Sequence, residues 1–344
     1  MLSIQQISKR YNNFFLNEIS IDIKQGEYFV LTGPSGAGKS VLFEIIAGII
    51  NADSGAIFLN EINITNLAVQ KRKIGLVFQD NTLFPHLTVK QNIKYPLKIR
   101  NFDHFEISKR VTEIADDMGI SAILDRRTDS LSGGEIQRVS IARALAGNAE
   151  YLLLDEPLSS LDIQSKEELR ILLKSIHKQG LTILHITHDQ REAFQLADRM
   201  AVMVNGQIIQ CDKPLQICKA PVSKFVADFI GFRNFYPVKL FSRNQLCINE
   251  KIIINSPQTI DKSDFIVLPE QALSINDVYD DISGENSFTG IIKEITYFPD
   301  SVELTLDIGL PMYKTLQQSD DLIDKLTPGL KVQISIDSSK IIFL

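Results

Sequence analysis

The chain has 344 residues, 44% of them hydrophobic, three cysteines and a formal net charge of −6. That apolar fraction supports full globular cores and excludes intrinsic disorder, and the length allows about two domains. The acidic balance argues against nucleic-acid binding, which shows a basic face, no apolar run approaches the ~18–20 residues that span a membrane, and Cys211, Cys218 and Cys247 form no C-x-x-C pair, so they read as reduced thiols.

In chain order, Glu27 to Thr32 is a short apolar strand, and Ser40 to Ala47 reads as a helix closed by Gly48. Between them Gly33-Pro34-Ser35-Gly36-Ala37-Gly38-Lys39-Ser40 fits G-x-x-x-x-G-K-[ST] without a mismatch. Glycines let such a loop fold around phosphates. Lys39 is expected to reach the β- and γ-phosphates of ATP, and the Ser40 hydroxyl to bind Mg²⁺. Further on, Ile107, Val111, Ile114, Ala115 and Met118 share one face of a helix. Leu131-Ser132-Gly133-Gly134-Glu135-Ile136-Gln137 reads as a second helix start, with Ser132 and Glu135 at capping-box spacing. Its exposed N–H groups and the dipole behind them make another seat for phosphate.

Tyr151-Leu152-Leu153-Leu154-Asp155-Glu156-Pro157 suits a buried parallel strand whose carboxyl end opens on a site. Asp155 would hold Mg²⁺, directly or through water. Glu156 would orient and deprotonate an attacking water, a role worth ~10²–10⁴ in rate. Beyond about Gly231 the pattern changes. Ser301 to Ile308 and Lys331 to Asp337 alternate apolar and polar residues, as in strands of a small β domain.

With these motifs in this order, the chain resembles an ATP-binding-cassette (ABC) ATPase over about residues 1–230. The resemblance implies an α/β P-loop core of RecA type, an inserted helical subdomain at about 87–148, and a separate C-terminal β-barrel of TOBE/Mop type at 231–344. It also supplies further site residues. Gln79, in Val77-Phe78-Gln79-Asp80, matches the glutamine that contacts Mg²⁺ and water and links to the membrane partner. Asp162 closes Ser159-Ser160-Leu161-Asp162, which matches the loop crossing the dimer interface, and His188 matches the switch histidine that contacts the γ-phosphate. Tyr11, shortly before the first long strand, matches the aromatic that stacks on adenine, and His185 reads as a core histidine. In the implied head-to-tail homodimer, ATP lies on Gly33, Pro34, Ser35, Gly36, Ala37, Gly38, Lys39, Ser40 and Val41 of one copy. It is completed by Ser132, Gly133, Gly134 and Glu135 of the other.

The stretch Leu83 to Val89 is similar to importer ATPases, in which this neighbourhood docks a separate permease, itself served by a substrate-binding protein. The first residues, Met1-Leu2-Ser3-Ile4-Gln5-Gln6, lack a basic-then-apolar leader, so a peripheral place on the cytoplasmic face of the membrane is expected. Two details resemble molybdate/tungstate importers. Val41 stands where most of the family has Thr, forgoing a hydroxyl contact of about 0.5–1.5 kcal/mol to the α-phosphate. Ser283-Gly284-Glu285-Asn286-Ser287-Phe288-Thr289-Gly290 resembles the Ser-Ala-Arg-Asn-x-x-x-Gly start of a molybdate-binding barrel. Glu285, however, replaces Arg there, and Asp337 falls about where that barrel has Lys. Two acids would repel a dianion, so the barrel is expected not to sense oxyanion in the usual way. Sulfate, iron, phosphate, polyamine or sugar stay open as cargo. A soluble ABC ATPase acting on DNA or ribosomes is disfavoured, because coiled coils, zinc insertions and a second cassette are all lacking.

Overall fold

The computed structural model describes residues 1–11, 14–80, 83–249, 252–256, 264–277, 285–320 and 322–344. By its internal contacts the chain divides into Met1–Leu215 and Gln216–Leu344.

The first unit runs β1 (Leu2–Tyr11), β2 (Phe14–Ile23), β3 (Tyr28–Thr32), α1 (Lys39–Ala47), β4 (Ser54–Leu59), β5 (Ile62–Asn63) and β6 (Ile74–Val77). Three helices follow, α2 (Val89–Ile99), α3 (His104–Asp117) and α4 (Gly133–Ala146). The unit then continues through β7 (Tyr151–Asp155), α5 (Ile163–Lys178), β8 (Thr182–Thr187), α6 (Gln190–Leu196), β9 (Arg199–Val204) and β10 (Gln207–Asp212). A six-stranded sheet has the order β10-β9-β3-β8-β7-β6, parallel throughout except at β10. Every residue of β3, β7 and β8 is buried. That is why β3 and β7 read as near-continuous apolar runs: helices and a second sheet cover both faces. The second sheet, β2-β1-β4-β5, is antiparallel, and one apolar core joins it to α1 and the parallel sheet. Tyr11 is the last residue of β1 itself, which corrects its expected place ahead of the first long strand. The two-residue alternation of Leu2 to Tyr11 is broken by bulges near Ile7, which hides the strand in the sequence.

Each helix of the central trio starts on a complete capping box, Thr88 with Gln91, Asp103 with Glu106 and Ser132 with Glu135. α2 and α3 pack on α4. At the other end of α1, buried Arg72 donates from Nη1 to the carbonyls of Ile45 (2.9 Å) and Ile46 (2.8 Å). A fixed cation on the carboxyl end of α1 satisfies its last acceptors and complements its dipole.

The second unit takes in most of α7 (Pro214–Lys219), then α8 (Lys224–Phe229), β11 (Phe235–Ser242), β12 (Gln245–Ile248), β13 (Ile252–Asn255) and β14 (Phe265–Val267). It closes with β15 (Leu273–Asp277), β16 (Ser287–Tyr297), β17 (Ser301–Asp307), β18 (Pro311–Gln317), β19 (Lys331–Ile336) and β20 (Ile342–Phe343). Thus α8 groups with these strands, on the near side of a boundary expected at 230. Two antiparallel five-stranded sheets, β13-β12-β11-β14-β20 and β15-β19-β16-β17-β18, share one core. Val302, Leu304 and Leu306 on β17, and Val332, Ile334 and Ile336 on β19, point into it, as their alternation predicts.

Two asparagines sew these sheets together by imitating a strand. Asn286 accepts from Asn255 N–H (2.7 Å) and donates to Asn255 C=O (2.9 Å). Asn234 does the same with Tyr313, at 2.7 and 2.8 Å. Asn286 of the barrel-like stretch therefore serves architecture, while Ser283 and Gly284 lie outside the described residues. Asp337 turns inward on its own loop, accepting from Ser339 N–H (3.1 Å) and Oγ (2.6 Å) and pairing with Lys340 (3.1 Å). Those partners, Ser339 first, hold its carboxyl below the usual aspartate range.

Candidate functional site

The phosphate loop links β3 to α1. Gly33 and Gly38 have φ of 154° and 102°. A Cβ on Gly33 would lie 2.0 Å from the Met203 carbonyl oxygen, and one on Gly38 would lie 2.2 Å from Phe14 Cζ. Only glycine fits either place. Gly38 is also the N-cap of α1 and offers no side-chain acceptor, so the first-turn N–H groups keep their capacity for an anion. Lys39 Nζ is buried and donates to the carbonyls of Gly33 (2.8 Å) and Pro34 (2.9 Å). Burial lowers the pKa of this ammonium, while Glu156 and Asp155 push it back up.

Asp155, at the carboxyl end of β7, is buried, and the Ser40 hydroxyl donates to it. Its Oδ1 has no hydrogen-bond partner. Burial first, then the charge of Glu156, pushes its carboxyl up to about 6. An orphaned carboxylate oxygen beside a hydroxyl is the donor chemistry of a hard dication. Among the described residues no cluster of three His, Cys, Asp or Glu could hold a metal alone. An ion here would take its other ligands from phosphate and water, as Mg²⁺ does in nucleotide sites.

Glu156, directly after β7, has φ 47°, a left-handed conformation that is strained for a non-glycine residue. Its N–H is tied to the Ile186 carbonyl of β8 at 2.9 Å. Parallel pairing of β7 with β8 thereby brings Glu156 beside the residue that follows β8, and Glu156 Oε1 meets His188 Nδ1 at 2.8 Å. Gln79, just past β6, donates to Glu156 Oε2 at 3.5 Å. Three consecutive strand ends therefore deliver Gln79, Glu156 and His188 to one spot, on the side where parallel sheets bind ligands.

An open cleft of about 660 Å³ begins at this spot. Ser35, Gly36, Gly38, Lys39, Ser40, Val41 and Glu156 line it, and Tyr11 and Phe14 form its aromatic end. Val41 also rests partly on the core. Phe14 and Glu44 line the cleft too, and the sequence had not marked them. Phe14 reads as an ordinary strand residue, and only its approach to Gly38 gives it a place at the site. His185 is fully buried, as expected of a core histidine.

The second turn is built as its spacing predicts. Ser132 N–H donates to Glu135 Oε2 (2.8 Å), Glu135 N–H donates to Ser132 Oγ (3.2 Å), and Arg126 pairs with Glu135 at 3.1 Å. Asp162 caps α5, accepting from Ser165 N–H (2.9 Å) and Oγ (2.6 Å), which holds its carboxyl below the usual range. A Cβ on Gly133 would lie 3.3 Å from Leu161 Cδ2 and one on Gly134 3.2 Å from Ser165 Oγ, so the starts of α4 and α5 stand side by side. None of Ser132, Gly133, Gly134, Glu135 and Asp162 lines the cleft. One chain does not bring its second turn to its own Lys39.

Residues 16–159 match the family described as ABC transporter. The chain is 37% identical over 343 residues to the molybdate/tungstate import ATP-binding protein WtpC of Pyrococcus abyssi, covering 99% of each. It is 40% identical over 258 residues to the spermidine/putrescine import ATP-binding protein PotA of Thermotoga maritima, covering 74% of this chain and 69% of that one. Among solved structures it resembles the ATP-binding cassette MJ0796, in a dimeric post-hydrolysis state bound to ADP and Pi. The TM-score is 0.56 and the identity 30%, over 62% of this chain and 99% of that one.

Proposed function

The chain belongs to the ATP-binding proteins of ABC transporters, and from that premise we propose that it is the ATP-hydrolysing subunit of an importer for an oxyanion, molybdate or tungstate. It works as a homodimer on the cytoplasmic face of the membrane, with separate permease subunits and, through them, a substrate-binding protein. The observation that carries the ATPase reading is the 2.8 Å contact of Glu156 with His188 at the mouth of the Lys39 cleft.

Each residue then has a task. Tyr11 stacks on the base at the aromatic end of the cleft. The loop N–H groups take the phosphates, and Lys39 exchanges the Gly33 and Pro34 carbonyls for the β- and γ-phosphate oxygens. Ser40, Asp155 and Gln79 would hold Mg²⁺, which neutralises charge on those oxygens. Glu156 aligns the attacking water and accepts its proton at a carboxylate oxygen. His188 leaves Glu156 to donate toward the γ-phosphate. Since the second turn lies away from its own cleft, Ser132, Gly133 and Gly134 serve the cleft of a second copy, with Glu135 holding the turn and Asp162 at the seam. Phosphate release restores repulsion across that seam, and the dimer opens.

Glu156→Gln keeps the shape and loses the base. Its kcat should fall ~10²–10⁴-fold with ATP affinity retained; a wild-type rate would overturn the assignment of the base. The cargo reading is supported by the likeness to WtpC, which extends over both units. Its test is ATP turnover by the chain reconstituted with permease in liposomes, stimulated by a loaded binding protein. Molybdate or tungstate should stimulate. Stimulation by spermidine, sulfate or iron alone would move the chain to another importer class.

A further inference from the structure

The turn that carries His188 is held by a buried polar set that the mechanism above leaves unused. Asp189 caps α6, its Oδ1 accepting from Arg191 N–H (2.8 Å) and Glu192 N–H (3.3 Å). Asp189-x-x-Glu192 has capping-box spacing, in which the third helical residue reaches back to the N–H of the cap. Here that reach passes through a third residue. Glu192 Oε2 accepts from Thr187 Oγ1 at 2.7 Å, and the same hydroxyl oxygen accepts from Asp189 N–H at 3.0 Å. Thr187 and Glu192 are only 2% and 3% exposed, so water cannot substitute for either partner. Behind Glu192 lies His185, its Nε2 3.8 Å from Glu192 Oε2 and its Nδ1 sharing a 2.9 Å hydrogen bond with Tyr28 OH. The residues on both sides of His188 are thus fixed through one carboxyl group.

We infer that Glu192 is a positioning residue for ATP hydrolysis: through the Thr187 hydroxyl it fixes the 187–189 turn so that the His188 ring stands against Glu156. The inference rests on the reading of His188 as the residue that meets the γ-phosphate. It makes Glu192 a hydrogen-bond acceptor and not a charge, so Gln should serve and Leu should not. Likewise Ser should serve at 187, and Val, which keeps the shape, should not.

The test is ATP turnover by the full-length chain, measured radiometrically and below the lowest melting transition of any variant. Thr187→Val and Glu192→Leu should each lower kcat on the order of ten- to a hundredfold, the scale of a misplaced reacting group. KM for ATP, set in the cleft, should stay within about twofold. Thr187→Ser and Glu192→Gln should keep most of the rate, and Thr187→Val with Glu192→Leu should be no slower than the slower single variant. In a His188→Ala background neither substitution should lower the residual rate further. An undiminished kcat in both Thr187→Val and Glu192→Leu would overturn the inference, as would an equal fold-loss in the His188→Ala background. If His188→Ala alone turns over at the wild-type rate, the reading of His188 itself fails, which is a separable result.

Discussion

Asp155 should make the first unit less stable than it could be, by an amount that pH reveals. Burial and the neighbouring Glu156 place its carboxyl at about 6, against 3.8 ordinarily. A carboxyl group raised in the folded state favours folding while protonated. That contribution is fully present below about 3.8, declines as pH rises and is gone above about 6, because between these values the native state binds more protons than the unfolded chain. At about 1.4 kcal/mol per pH unit, the gap corresponds to about 3 kcal/mol. Asp155→Asn cannot ionise and escapes the loss. In guanidinium titrations of the full chain without nucleotide, the variant should exceed wild type by about 2–3 kcal/mol at pH 8, and the difference should close toward pH 4. The chain has no Trp, so circular dichroism is the natural probe. The first unit's transition is the one that shifts with nucleotide in the wild type. With Mg²⁺ and ATP present the gap should close, because a dication on Asp155 offsets the penalty that Asn never had. Equal stability of the two proteins at pH 8 would refute this account of Asp155.

Other consequences are simpler to read. Ser132→Arg places a bulky cation on the second turn; it should bind ATP normally yet fail to form an ATP-dependent dimer on a sizing column when combined with Glu156→Gln, and a dimer would contradict the role of the turn. Asn286→Ala loses both hydrogen bonds to the half-buried Asn255 backbone, so the second unit should lose about 1–3 kcal/mol in denaturant titration. Retained stability would return Asn286 to a ligand role. Calorimetry of the full chain with molybdate or tungstate should give no micromolar binding, because Glu285 and Asp337 carry the wrong sign; micromolar heat would overturn that reading.

What the sequence made legible was local. The glycine-lysine loop, the Ser132–Glu135 box and the apolar runs of β3 and β7 are each complete within a few residues, and each appears in the structure as spelled. The antiparallel sheet beside the core was not legible: bulges break the two-residue alternation of β1, so Tyr11 ends a strand where the sequence reading had it shortly before the first long one. Phe14 and Glu44 were missed because lining a cleft is a property of packing, which single-residue chemistry does not announce. Arg72 was missed for the same reason. A charge looks like surface until the carbonyls of α1 are found around it.

The contact between Glu156 and His188 shows why motif order can stand in for distance in this fold. Thirty-two positions separate the two residues. Parallel pairing, however, sets Asp155 opposite Ile186, and so fixes where the next residues of both strands must emerge. Once β7 and β8 are adjacent, no further information is needed to bring the acid to the histidine. The second turn is the opposite case. Its spacing specifies a phosphate seat, but no strand register ties α4 to the phosphate loop, and the cleft of the same chain forms without it. A seat complete in itself and absent from its own cleft calls for a second chain to use it.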